Sequence, residues 1–311
     1  MLITFQSILP IFLAIFLGNG LRRSNLFSLE FWTGLEKLCF YLLYPTLIFV
    51  TINRADFSGL SLGKVVLTLS VAITLMSLLT LALWPALKRL NVSAPTFSSV
   101  FQSSIRWNGF VALVIAENMF PPEAAALVGL VMAAIIVPVN AISVGAIAWF
   151  TASNPNFGAV FKRVIANPLI IAASLGILAR FIPGGIPLVI MDGLQLIART
   201  ALGMGLISIG AGLRMGDLFK PSIAVYIPTF LKLILFPILV VSAALIFGVQ
   251  GPELSYLALC ASVPTAMNGY VLARQMGGDA DNYAVTVTVQ TVIAFFSIPA
   301  VLAIVDQFIG G

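Results

Sequence analysis

Arg106 stands in the stretch QSSIRWNGFVAL, Gln102 to Leu113, at the middle of a segment otherwise apolar enough to lie in lipid. An arginine at the centre of a membrane helix costs about 2.5 to 3.5 kcal/mol on the insertion scale, so it needs a partner. No acidic residue lies within one helical turn of it in sequence. Two uses fit: a guanidinium fork for a substrate carboxylate, or a partner for carbonyls freed by a helix break or for Glu117 across the packing. Asn108 and Gly109 follow it, and Asn is a good helix N-cap while Gly weakens a helix interior. Arg106 and Asn108 would point about 200° apart on a continuous helix, so a shared site requires unwinding at Gly109.

The same pattern returns in AMNGYVLA, which sets Asn268-Gly269 against Asn108-Gly109 at an offset of 160 residues. Pro264 and Thr265 precede it, and a proline removes a backbone donor and clashes with the preceding turn. The position matching Arg106 is Ala266, so the arginine is not duplicated. Asn-Gly twice fits a scaffold need, capping with or without substrate contact. A single arginine fits a substrate contact. Asn140, beside Pro138, is a further candidate, and Pro45, Thr46, Ser104 and Gln290 are weaker ones, since kinks and interhelical hydrogen bonds explain such residues too. Thr286, Thr288 and Thr291 make the last segment polar, and Lys232 and Arg199 lie within other segments, where they can snorkel or pair.

The elements that carry these residues are membrane helices. The chain has 311 residues, 60% apolar and 9% charged, with a mean hydropathy of +1.09, far outside the range of soluble domains. A crossing helix needs about 20 apolar residues. Ten windows meet that need: Leu2–Leu21, Phe31–Ile52, Lys64–Leu87, Thr96–Phe120, Glu123–Phe150, Val164–Ile182, Pro187–Leu213, Pro221–Phe247, Glu253–Met276 and Ala280–Val305. Basic residues crowd the connections after the odd-numbered spans, including Arg22, Arg23, Lys88, Arg89, Lys162, Arg163, Arg214, Lys220 and Arg274. By the positive-inside rule that side is cytoplasmic and both termini face outward. The net charge of +5 is therefore a matter of topology, not a nucleic-acid signal. Arg22-Arg23 after the first span, with no basic residue before it, reads as a permanent helix and not a signal peptide.

Further matches support a duplication: Pro10 and Gly18 pair with Pro168 and Gly176, and Pro138 pairs with Pro299. Five spans per half is odd, so the second half enters the membrane from the opposite face. The expected fold is an all-α integral membrane protein, ten transmembrane helices in a 5+5 inverted repeat with broken, crossing helices 4 and 9, its halves being residues 1–152 and 153–311 with the boundary near Ser153–Asn156. Secondary transporters place substrate near the bilayer midplane on such discontinuous helices. A half-helix that starts inside the membrane leaves N–H groups unpaired and a positive dipole end in low dielectric, to which an anion is the natural guest.

The stretches IRWNGF, CASVPTAMNGYVLARQMGGD and TVTVQTVIAFFSIP resemble the auxin efflux carrier family, of the bile/arsenite/riboflavin transporter superfamily, over essentially the whole chain. The resemblance implies helices 4 and 9 crossing at broken midpoints and an elevator-like movement of a transport bundle against a scaffold. It also implies a small carboxylate substrate, malonate- or malate-like as in bacterial relatives or auxin-like as in plant ones, with the crossing residues at Asn108, Asn268 and Pro264 and a substrate-facing position at Asn140. Ser104 departs from the plant pattern, standing where a second crossover proline would be. The candidate substrate-binding set is Arg106, Asn108, Gly109, Asn140, Pro264, Thr265, Asn268 and Gly269.

Other readings are a cation/proton antiporter, which needs intramembrane carboxylates that the ninth span lacks, and a channel or sensor on the same fold. With no histidine in the chain, a histidine proton relay is excluded. No nucleophile with a base and no metal-ligand cluster is evident, so enzymatic activity and a cofactor are not expected. Coupling to Na⁺ or H⁺ stays open. The partners expected are the organic anion and the lipid bilayer of a bacterial inner membrane, with apolar outward faces on spans 2 and 7 that would allow a homodimer.

Overall fold

The computed structural model describes residues 2–55, 57, 60–151, 166–217 and 222–310. The proposed half boundary at Ser153–Asn156 and the basic residues Lys162, Arg163 and Lys220 lie outside the described residues. Among the described residues the regular structure is helical throughout: α1 (Leu2–Arg23), α2 (Leu29–Arg54), α3 (Leu62–Arg89), α4 (Ala94–Ile105), α5 (Gly109–Met119), α6 (Pro122–Thr151), α7 (Pro168–Phe181), α8 (Leu188–Ala211), α9 (Ile223–Ile246), α10 (Pro252–Ser262), α11 (Asn268–Gln275) and α12 (Ala280–Gly310).

Seven of these, α1, α2, α3, α6, α8, α9 and α12, are long and apolar enough to cross a bilayer. The chain is a multi-pass membrane protein. The windows at Thr96–Phe120 and Glu253–Met276 each hold two short helices with a break between them, at Arg106–Asn108 and Val263–Met267. At about 1.5 Å per residue, α4 and α10 reach only about half of a ~30 Å hydrocarbon core, which puts both breaks deep.

Local chemistry explains the other bends. α2 and α9 each widen to a π-turn, at Cys39–Leu43 and Leu231–Leu235, ahead of Pro45 and Pro237. The wider turn accommodates a proline ring that would clash with the carbonyl four residues back.

Two groups of helices follow from the packing. α1, α2, α7 and α8 lie against one another. Their approach is close enough that a Cβ on Gly18 would strike the carbonyl of Ile207, and one on Gly210 that of Ile15, as small residues permit between membrane helices. The remaining helices form the second group around α6 and α12. Aromatic rings meet where the groups touch: Phe12 of α1 lies tilted 5.0 Å from Phe295 of α12, and Tyr44 of α2 stacks on Phe110 of α5 at 3.6 Å.

Candidate functional site

The first break forms because α4 ends in extended backbone at Arg106 and α5 restarts at Gly109 behind an N-cap. The cap is Asn108, whose Oδ1 accepts from Val111 N–H at 3.3 Å. Its own N–H donates across to Pro264 O at 2.7 Å, so the two breaks touch backbone to backbone.

The second break is held differently. Thr265 N–H donates to Gln290 Oε1 at 2.8 Å, and Thr265 Oγ1 lies 3.0 Å from Tyr283 Oη, which donates to Ala266 O at 2.7 Å. Gln290 Nε2 donates to Ser103 O and to Pro228 O, each at 3.1 Å. One buried amide on α12 thus joins α4, α9 and the second break. Gly269 packs under Tyr283, where a Cβ would overlap the phenol ring. Asn268 opens α11 but its side chain caps nothing.

That side chain goes to Arg106 instead. Arg106 is 5% exposed; its Nη2 donates to Asn140 Oδ1 at 2.9 Å and to Asn268 Oδ1 at 3.2 Å, and its Nη1 is buried without a partner among the described residues. Among the described residues neither Glu117 nor a carbonyl of the break takes the guanidinium; Glu117 accepts from Thr51 Oγ1 at 3.1 Å instead. The arginine is held by neutral oxygens, which orient it and leave its charge uncompensated.

A small, partly open cavity lies at this point. Arg106, Asn140 and Asn268 supply its polar lining, with Gly109 and Ala266 beside them. Trp107, Phe110, Met132, Ile135, Ile136 and Val139 make an apolar wall, and Leu169 of α7 contributes from the other helix group. The cavity therefore sits on the seam between the groups. Its chemistry suits an anionic head bound by the guanidinium and an apolar body against the wall.

Of the residues expected from sequence, Arg106, Gly109, Asn140 and Asn268 line the cavity, while Asn108, Pro264, Thr265, Gly269 and Gln290 build the frame behind it. Ser104 bonds back to Val100 O at 2.8 Å, and Thr46 to Leu42 O at 2.8 Å beside Pro45 in the α2 bend. Three contributors were not expected: Tyr283, the Tyr44–Phe110 stack, and the amide of Gln102, buried one turn before Arg106 with neither atom partnered. The buried tyrosine and glutamine are at least visible in sequence as polar groups in apolar spans. Among the described residues no group of His, Cys, Asp or Glu could hold a metal ion.

Comparison with known proteins adds likenesses to membrane transporters. The sequence pattern of the family described as "Membrane transport protein" matches residues 156–302. An uncharacterized transporter of Methanothermobacter thermautotrophicus is 23% identical over 94% of this chain and 96% of its own length. The uncharacterized transporter YfdV of Escherichia coli is 25% identical over 86% of this chain and 87% of its own. A Rhizobium meliloti protein named "Putative malonate transporter" is 25% identical over 96% of this chain and 94% of its own.

Proposed function

We propose that the chain is a transporter of the auxin efflux carrier family, a secondary carrier of a small organic anion, a mono- or dicarboxylate, bound at the crossing of the two helix breaks; the family match over residues 156–302 and the transporter relatives support this. The carrying observation is Arg106: a buried cation at a cavity, held by Asn140 and Asn268, with Nη1 unpartnered among the described residues. A carboxylate that accepts from Nη1 gives this charge the partner it lacks, through charge-assisted bonds stronger than those to neutral amides. Because Asn140 and Asn268 turn their Oδ1 atoms to the guanidinium, their Nδ2 groups are the donors left for the same guest. Gly109 and Ala266 keep the approach narrow and free of bulk, while Asn108, Pro264, Thr265 and Gly269 fix the backbone that aims these groups.

The reading includes two inverted five-helix halves, residues 1–152 and 153–311, and alternating access by an elevator-type displacement. α3 to α6 with α9 to α12 would carry the site past α1, α2, α7 and α8. The position of the cavity on the seam supports this, as does the apolar stack of Tyr44 on Phe110 there. The orientation proposed is that of a bacterial inner-membrane protein with both termini outside. Its action is transport, without enzymatic turnover.

Purified protein in liposomes, preloaded with unlabelled malonate or phenylacetate, tests the reading. Saturable uptake of the labelled acid, accelerated by the acid inside, is the expected result. A flux that rises linearly with concentration and shows no counterflow would make the protein a channel and overturn the carrier.

A further inference from the structure

Lys232 is fully buried on the π-turn of α9. Its Nζ donates to Ala261 O at 2.6 Å and lies 4.4 Å from the centroid of the Phe236 ring. Ala261 belongs to the last turn of α10, just before the second break. The last carbonyls of a helix have no intrahelical partner and form the negative end of its dipole, a cost that rises in low dielectric. The ammonium answers that end directly, and the ring face adds a second electrostatic contact.

No carboxylate among the described residues lies within ion-pair distance of Lys232. The buried acid of α10 is Glu253, more than two turns before Ala261, where Ser61 holds it through its N–H and its hydroxyl. The charge of Lys232 is therefore committed to the helix end. At the first break the corresponding end of α4 is met by a neutral donor, Gln290 Nε2 on Ser103 O at 3.1 Å. Carriers with broken membrane helices seat their coupling cations against such half-helix C-termini and unwound carbonyls.

We infer that Lys232 is the resident cation of the second break: its ammonium stands at the half-helix C-terminus where a coupling Na⁺ would otherwise bind, so this break is charge-satisfied without Na⁺. The inference rests on the carrier reading and adds to it a positioning residue that does not line the cavity. Removing the charge while keeping a donor, as in Lys232→Gln, leaves the end of α10 short of a cation and gives a free monovalent ion a place to act.

Liposome uptake of labelled malonate and phenylacetate, in Na⁺ and in choline salts, tests this. Wild-type uptake is expected to be equal in the two salts to within twofold. Lys232→Gln is expected to be at least tenfold slower in choline and to recover several-fold in Na⁺, a response that a merely structural lysine would not give. Wild-type uptake stimulated fivefold or more by Na⁺ overturns the inference and leaves the carrier standing. So does a Lys232→Gln protein as fast as wild type in choline, or one that is slow and indifferent to Na⁺. If Lys232→Gln does not fold, the wild-type salt comparison decides alone. The absence of saturable uptake in any salt removes the carrier reading itself, and this inference with it.

Discussion

Asn108 and Asn268 carry the same dipeptide with glycine, yet one is a helix cap and the other is a ligand to an arginine. The first break satisfies itself: Asn108 closes the start of α5 and its N–H reaches the second break. The second break is stitched from outside by α12, through Gln290 and Tyr283, which releases Asn268 to face the cavity. The long helices that follow the breaks divide the work in the same way. α6 brings Asn140 to Arg106, whereas α12 brings Gln290 to the backbone; 161 residues on from Asn140 stands Val301, and 161 residues back from Gln290 stands Gly129. Two breaks that share a dipeptide thus differ in their surroundings: the long helix after one turns a polar side chain to the cavity, and the long helix after the other turns one to the frame.

Among effects on stability, Gln290→Leu should be the largest. It leaves Thr265 N–H, Ser103 O and Pro228 O without their recorded partner, and each buried orphan costs about 1–3 kcal/mol. The melting temperature in detergent should fall by far more than for any change to Asn108. A Gln290→Leu protein as stable as wild type would mean that the second break holds itself.

Glycine substitutions sharpen the contrast at intermediate size. In Gly269→Ala the new Cβ meets the buried Tyr283 ring, and in Gly109→Ala it meets the flexible end of Met132. Overpacking against the ring should cost about 1–3 kcal/mol, and a clearly smaller loss is expected at Gly109. Equal losses would show the two breaks to be equally tight.

The smallest effects separate the asparagines. Asn108→Ala removes a cap and should cost about 1 kcal/mol of stability, with little change in the concentration of acid that half-saturates uptake. Asn268→Ala removes no cap, so stability should hold while that concentration rises about tenfold or more. The reverse assignment would undo the comparison.

Much of this was legible in the sequence. The deep breaks follow from Asn-Gly and Pro264 inside apolar spans, and the unduplicated arginine from aligning the two stretches. The difference between the asparagines was not legible, because capping depends on the register of the new helix: α5 starts just after Asn108, while α11 starts at Asn268 itself. The partners of Arg106 were hidden for a related reason. Asn140 lies 34 residues away and Asn268 162 residues away, and helical periodicity is silent on which polar groups meet across a bundle. Gln290 and Lys232 could be marked as polar groups needing partners, but their partners are backbone N–H and carbonyl groups, which no side-chain pattern announces.

The central claim is that Arg106 binds the carboxylate, and ligand-induced stabilisation of Arg106→Gln tests it most directly. This variant keeps hydrogen-bond donors and loses the charge. With malonate and phenylacetate as probes, the wild-type protein should melt at a higher temperature as the acid is raised. Arg106→Gln, folded and at an unchanged melting temperature without acid, should require at least tenfold more acid for the same shift, which corresponds to about 1.4 kcal/mol or more. A variant stabilised by the acids at wild-type concentrations would contradict the account, leaving Arg106 as a structural partner of Asn140 and Asn268 only.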